Sequence, residues 1–298
     1  MKKFILLLML AIFPLSANAK VNIVTTTTDL AAIAREVGGE LVSVESICRG
    51  DQDPHYLEPK PSYVVKMNRA DLFVEVGLDL EIGWLPVLMT QSRNPKIQRG
   101  STGYLDASRD IPVIEIPAGK VDRSMGDIHP LGNPHYWLDP RNGLIIAREV
   151  ADKLSVLDPA NQPAYRDNLA TFESRLKSRI AAWQSLAASL RGKDIVTHHK
   201  VFSYFANWLG ITIADVIEPK PGIPAPPSHI TSLIDLIKSR QIHLIVSENY
   251  YDPKPSWELG KKTGAVVRDL ATSVGGETGV TTYEGLFDYL IGELKGAL

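Results

Sequence analysis

One long amphipathic helix near the middle of the chain divides this 298-residue sequence into two halves. Apolar side chains recur there at spacings of three and four, the period of a helix with one buried face. They are Tyr165, Leu169, Phe172, Leu176, Ile180, Trp183, Leu186 and Leu190. The predicted helix covers residues 159–190 and, at ~1.5 Å per residue, extends on the order of 45 Å. That length exceeds a small domain, so we interpret the helix as a strut between two lobes rather than as the core helix of a single domain.

Short strands and helices alternate on both sides of this helix. Strands are predicted at 21–24, 42–48, 70–76 and 113–116 in the first half, and at 194–197, 212–216, 243–246 and 265–267 in the second. Strands separated by helices indicate parallel βαβ units. We therefore predict an α/β fold of two similar lobes, each a parallel-type sheet with flanking helices, joined by one long rigid helix.

The first residues indicate export. Lys2 and Lys3 form a positive start, residues 4–13 are apolar, and Ala-Asn-Ala at 17–19 matches an A-x-A cleavage signal. Such a stretch is a secretory signal peptide and is too short to span a bilayer. We predict a periplasmic protein with the following division: signal peptide 1–19, N-terminal lobe 20–157, connecting helix 158–191 and C-terminal lobe 192–298.

Charge and cysteine content argue against a nucleic-acid-binding protein, a disulfide-bonded protein and a lipoprotein. The formal charge is −2, and removal of Lys2 and Lys3 changes it to −4, so no basic surface for nucleic acid is predicted. The only cysteine, Cys48, cannot form an internal disulfide and does not follow the cleavage site, where a lipid would be attached. We expect Cys48 to be a buried, inert thiol in a strand.

Four segments spread over both halves each carry a side chain of a metal-ligand type. The predicted ligands are His55, His135, His199 and Asp269. Three imidazoles and a carboxylate suit a tetrahedral zinc ion. Three of these residues follow predicted strands, where ligand sites of open α/β sheets lie, and His135 sits in a loop stiffened by two prolines. The chain contains no HExxH or CxxC element, so the joint placement carries the prediction.

Three further residues compete with this assignment or support it. His198 directly precedes His199, and only one of two adjacent strand residues faces a given ion, so the reverse choice stays open. Glu248 is the rival carboxylate, which we expect to accept the outer N–H of a ligating imidazole. His129 lies on a glycine-containing loop, where it either gates the cleft or is a plain surface histidine.

These motifs resemble the zinc and manganese branch of the solute-binding proteins of bacterial ABC transporters. The resemblance covers nearly the whole mature chain and is most specific at Asn-Pro-His-Tyr-Trp-Leu-Asp-Pro, residues 133–140. It also rests on Asp-Pro-His at 53–55, on His199 with the aromatic residues after it, on Pro-Pro-Ser at 226–228 and on Asp269. It implies two α/β lobes joined by a rigid helix, with the metal between them held by His55, His135, His199 and Asp269.

The resemblance also implies a function, namely capture of Zn²⁺ outside the cytoplasm and delivery to an ABC-transporter membrane permease. His199 stands where manganese-type members commonly carry a carboxylate, which favours zinc; Mn²⁺ or Fe²⁺ uptake is the alternative. The short loop with His129 resembles a subgroup in which this loop closes over the site and accepts metal from a periplasmic metallochaperone. We expect a monomer without catalytic residues, and the competing class is an exported zinc hydrolase with Glu248 as its base. Because imidazole binds metal only when unprotonated, affinity is expected to fall as the pH drops through ~6.5.

Overall fold

The computed structural model describes residues 19–119, 129–220 and 222–297. The predicted signal peptide, apart from Ala19, lies outside these ranges, as do residues 120–128 of the loop before His129. Within the described ranges, no helix combines the length and apolarity needed to cross a membrane.

The first half of the chain forms a four-stranded parallel sheet with helices around it. The strands are β1 (Val21–Thr25), β2 (Val42–Ser46), β3 (Leu72–Glu75) and β4 (Tyr104–Asp106). The helices are α1 (Thr28–Gly38), α2 (Pro61–Arg69), α3 (Leu85–Ser92) and α4 (Pro140–Leu157). The strand order is β2-β1-β3-β4, and in the register Val24 faces both Glu45 and Phe73.

The second half repeats this arrangement after the connecting helix α5 (Gln162–Leu186). Its strands are β5 (Asp194–Thr197), β6 (Thr212–Val216), β7 (Leu244–Glu248) and β8 (Val266–Leu270). Its helices are α6 (Ser203–Leu209), α7 (Pro227–Ser239), α8 (Lys254–Thr263) and α9 (Tyr283–Ala297). All pairings are parallel, and the order β6-β5-β7-β8 matches that of the first sheet. The prediction of two similar α/β lobes joined by a long helix is therefore confirmed.

The topology of both sheets creates a crevice at the same place. In the first sheet β1 lies between β2 and β3, so the strand that follows β1 in sequence is on one side of it and the next strand is on the other. In the second sheet β5 lies between β6 and β7 in the same way. Ligands of open α/β sheets bind beyond the carboxyl ends of strands at such a reversal. His199 follows β5 by two residues and Glu248 ends β7, so both lie at this point of the second sheet.

The connecting helix ties the two halves together. At 25 residues α5 is about 37 Å long. It packs against α1 and α4 of the first half and against α9 of the second. Arg175 on α5 pairs with Glu36 on α1 and with Glu284 on α9, at 2.7 Å each. One continuous core of buried apolar side chains extends from the first sheet through α5 to the second sheet, so relative movement of the halves is restrained.

Two loops also bring the halves into direct contact. The backbone of Gly50 lies so close to the second half that a Cβ atom there would be 2.2 Å from the carbonyl oxygen of Val274. Asp29, buried on α1, accepts a hydrogen bond from the backbone N–H of Val274 at 3.0 Å. This contact depends on glycine at position 50, because any larger residue would collide with backbone.

Several local predictions are resolved by the structure. Cys48 is buried as expected, but it lies two residues beyond the end of β2 and not in a strand. Asp139 caps α4 by accepting from the backbone N–H of Arg141. The strand predicted at 113–116 does not form. Prolines flank it at 112 and 117 and remove backbone donors, so Ile114 bonds instead to Asn133 and to the Tyr204 hydroxyl.

Candidate metal centre

Histidine side chains from both halves of the chain converge beyond the carboxyl ends of the strands. The ligand atoms of His55, His135 and His199 all lie within 4.8 Å of one another, and all three residues are buried. Their ring centroids are separated by 5.1, 5.8 and 5.6 Å. Rings bound to one tetrahedral zinc at ~2.0–2.1 Å per Zn–N bond have centroids about 5 Å apart. Three of the four predicted ligands are thus brought together at a spacing that suits one ion.

His55 is oriented by the short segment that precedes it. Asp53 Oδ1 accepts from the backbone N–H of His55 at 2.9 Å and lies 2.6 Å from its Nδ1. Burial would raise the pKa of Asp53, but the hydrogen bonds that Asp53 accepts from His55, together with their electrostatic attraction, outweigh it and lower that pKa. An ionised Asp53 requires the proton on Nδ1, which leaves the lone pair on Nε2 as the metal-binding atom.

His135 is oriented in the same way. Asn133 Oδ1 accepts from the backbone N–H of His135 and lies 2.9 Å from its Nδ1. The amide nitrogen of Asn133 donates to Glu115 at 2.9 Å and to the Lys200 carbonyl at 2.8 Å, which fixes the orientation of the amide. Nδ1 of His135 is therefore the donor. Its Nε2 is buried and has no hydrogen-bond partner within the described residues, which fits a metal-binding atom.

The adjacent pair of histidines after β5 separates into two environments. His199 joins His55 and His135, while His198 stacks on Tyr251 with ring centroids 4.7 Å apart. Nε2 of His198 lies 3.5 Å from Glu218. This geometry favours the predicted choice of His199 over His198.

Burial keeps two imidazoles of the three-histidine cluster neutral. Burial, and secondarily the neighbouring imidazoles, hold the pKa of His135 well below its ordinary value. Burial and His55 lower the pKa of His199 to about 3. Because neutral imidazole is the metal-binding form, these groups are ready to bind at pH 7.

His129 lies against this cluster rather than on an open surface. Its Nε2 is 3.1 Å from Nε2 of His55, and the two ring centroids are 5.2 Å apart. Its imidazole also makes a hydrogen bond to the backbone carbonyl of Leu78. Burial and the neighbouring His55 lower the pKa of His129 to about 3. The alternative of a plain surface histidine is therefore not supported.

The two candidate carboxylates are placed differently from the prediction. The group whose ligand atoms all lie within 4.8 Å of one another contains neither of them among the residues that could be described. Asp269 Oδ2 accepts from the indole N–H of Trp257 at 2.9 Å. Glu248 is fully buried, and burial raises its pKa well above the ordinary value. In the described parts of the chain its oxygens have no hydrogen-bond partner, so the expected bond from an imidazole N–H is not formed.

The orienting residues Asp53 and Asn133 were missed as functional residues. Both ligand segments read Asx-Pro-His, and in both the Asx oxygen binds the backbone N–H and the ring of the histidine two positions later. The repeated tripeptide was the available signal, since Asx side chains commonly bond to a backbone N–H two residues on.

Comparison with known proteins identifies the family. Residues 23–297 match the family model described as "Zinc-uptake complex component A periplasmic", ZnuA. The chain belongs to the ZnuA family.

The names of similar proteins refer to different metals. The manganese ABC transporter substrate-binding lipoprotein PsaA of Streptococcus pneumoniae is 30% identical over 257 residues, covering 83% of this chain and 77% of PsaA. The iron-binding protein YfeA of Yersinia pestis is 27% identical over 288 residues, covering 93% and 86%. A crystal structure of ZnuA superposes with a TM-score of 0.78 at 24% identity, covering 93% of this chain and 99% of that one.

Membership in the ZnuA family fixes the general role. The protein is an extracytoplasmic, metal-binding substrate-binding protein of an ABC transporter, and such proteins work with the membrane components of the transporter. The family consists of binding proteins rather than enzymes, so the alternative of an exported zinc hydrolase is not supported.

Proposed function

We propose that this protein captures Zn²⁺ in the periplasm and delivers it to its ABC-transporter permease, with His55, His135 and His199 as ligands. The observation that carries this proposal is the group of three buried imidazoles within 4.8 Å. Two of them have Nδ1 engaged by an Asx oxygen, which directs Nε2 to the ion. Imidazole ligands suit zinc better than manganese, which prefers oxygen ligands.

The test is isothermal calorimetry of the metal-free mature protein with Zn²⁺. We expect one tight site per chain, and His199→Ala should weaken it at least ~10-fold. The matched control is His243→Ala, which removes an exposed histidine. Parent-like binding by His199→Ala and His135→Ala together would contradict the proposal.

Uptake of Mn²⁺ or Fe²⁺ is the second candidate, favoured by the names of two relatives. First-row metals share ligands, so availability also decides loading. Competition among Zn²⁺, Mn²⁺ and Fe²⁺, with elemental analysis of protein purified from its native compartment, separates the candidates. We expect zinc to displace the other two.

Release of the ion requires that at least one metal–ligand bond break when the protein meets the permease. The continuous core and the contacts between Gly50 and Val274 oppose a wide hinge movement. Small tilts and shifts of the ligand-bearing loops are therefore the proposed route. A metallochaperone that loads the site through the His129 loop is a further proposed partner.

Maturation and assembly form the last part of the proposal. Cleavage after Ala19 would give a monomeric periplasmic protein with lobes at 20–157 and 192–298 around the connecting segment 158–191. Intact mass of the exported protein and light scattering in solution test these two statements. A retained N-terminus or a stable dimer would contradict them.

A further inference from the structure

A fourth imidazole stands at the edge of the three-histidine cluster. His129 Nε2 is 3.1 Å from His55 Nε2, and its ring centroid is 6.3 Å from that of His135. Two nitrogens bound to one tetrahedral zinc lie about 3.3 Å apart, which follows from the Zn–N distance. The spacing between His129 and His55 is thus close to that of two ligands of the same ion.

The outer nitrogen of His129 is anchored as those of His55 and His135 are. Its hydrogen bond to the Leu78 carbonyl needs an N–H, and since Nε2 faces His55, the donor is Nδ1. Leu78 and Asp79 have φ values of +52° and +64°, and this left-handed turn presents the carbonyl. Ligating histidines typically donate their outer N–H to a carboxylate or a backbone carbonyl. His55 and His129 follow this pattern, and His135 differs only in that its acceptor is the side-chain amide oxygen of Asn133.

The tautomers of His55 and His129 make their contact informative. With Nδ1 of His55 donating to Asp53 and Nδ1 of His129 donating to Leu78, both Nε2 atoms present lone pairs. Two lone pairs at 3.1 Å repel each other unless a cation lies between them. A divalent metal bound to both nitrogens removes this repulsion, as does a proton held between them; the adjacent imidazoles of His135 and His199 fit the metal.

The predicted carboxylate ligand is engaged elsewhere. Asp269 Oδ2 accepts from Trp257 at 2.9 Å. Trp257 is on α8 and half exposed, and it engages one of the two carboxylate oxygens; Oδ1 of Asp269 is buried and has no hydrogen-bond partner among the described residues. Among the residues described, neither Asp269 nor His129 is part of the group within 4.8 Å. His129 contacts one member of that group directly, so only a shift toward His135 and His199 is needed for it to bind.

We propose that His129, and not Asp269, is the fourth metal ligand, so that four imidazoles surround the ion. This inference rests on the proposed function, because it assumes the site formed by His55, His135 and His199. An all-nitrogen ligand set favours zinc over manganese more strongly than three imidazoles with a carboxylate do. His129 is then a residue that determines metal specificity.

Zinc X-ray absorption of the loaded mature protein counts the imidazole ligands without any substitution. We expect four, and three in His129→Ala. In chelator competition His129→Ala should weaken Zn²⁺ binding at least ~10-fold, whereas Asp269→Asn and the exposed-site control His243→Ala should stay within about twofold.

Two results would overturn the inference. One is three imidazoles plus oxygen in the unmodified protein; the other is strong weakening by Asp269→Asn with parent-like binding by His129→Ala. Different results would contradict the proposed function itself. In that case the unmodified protein would not bind Zn²⁺ tightly, or His199→Ala would not weaken binding, and both proposals would fall.

Discussion

The Asx-Pro-His segments allow a sharp prediction about how the site is oriented. Asp53→Ala removes the acceptor for Nδ1 of His55 and for its backbone N–H. Asp53→Asn keeps an acceptor oxygen but removes the charge. The geometry expected for Asp53→Asn already occurs elsewhere in the protein, because Asn133 holds His135 through the same two hydrogen bonds.

The magnitudes of the two substitutions differ. Loss of the partner that orients a ligating histidine typically costs 10–100-fold in metal affinity, or ~1.4–2.8 kcal/mol, which we expect for Asp53→Ala. A hydrogen bond to a charged acceptor is stronger than a neutral one by about 1 kcal/mol, so Asp53→Asn should cost about fivefold.

The assay is competition of Zn²⁺ between the protein and a chelating dye at pH 7. Asp51→Ala serves as the matched control, because Asp51 lies two residues away and pairs with Arg49 on the exposed surface. We expect its affinity to stay within about twofold of the parent. Equal affinities for the parent and Asp53→Ala would refute the claim that Asp53 orients a ligand.

Three other predictions follow from burial and packing. Because burial lowers the pKa of His199 to about 3, the His199 imidazole of the metal-free protein should stay neutral between pH 7 and pH 5; an NMR titration in which His199 becomes protonated above pH 5 would contradict this. Burial raises the pKa of Asp29 to about 7, so the folded state binds the extra proton and stability falls as the pH rises from about 4 to 7. Asp29→Asn should remove this loss of stability. In urea unfolding, the free energy of unfolding of Asp29→Asn minus that of the parent should therefore increase between pH 5 and pH 8, by up to ~1.4 kcal/mol per pH unit below pH 7. A difference that does not change with pH would argue against this prediction. Gly50→Ala should destabilise the protein by about 1–3 kcal/mol or more through collision with Val274, whereas Gly292→Ala, in open space on α9, should be neutral or stabilising; equal melting temperatures would disprove the tight contact.

The architecture was predictable because it depends on periodic patterns. Alternating strands and helices indicated two parallel sheets, and the apolar spacing around Leu176 indicated the helix that became α5. The strand predicted at 113–116 was wrong because local strand propensity ignored the prolines on both sides. No local pattern showed that the core would be continuous through both halves, since that depends on long-range packing.

The choice of the carboxylate ligand could not be derived from the sequence, for a reason of register. Asp269 pairs with Ser247 and Leu270 with Glu248, so the side chains of Asp269 and Leu270 point to opposite faces of the sheet. A shift of one residue would reverse them, and sequence alone does not define that register. The contact between His129 and His55 spans 74 residues and arises only from the tertiary fold.

The most direct test of the central claim is a crystal of the mature protein loaded with Zn²⁺ and measured at the zinc absorption edge. We expect one strong anomalous peak, ~2.0–2.1 Å from a nitrogen of each of His55, His135 and His199. A principal peak bound to only one of these residues, or located away from all three, would contradict it.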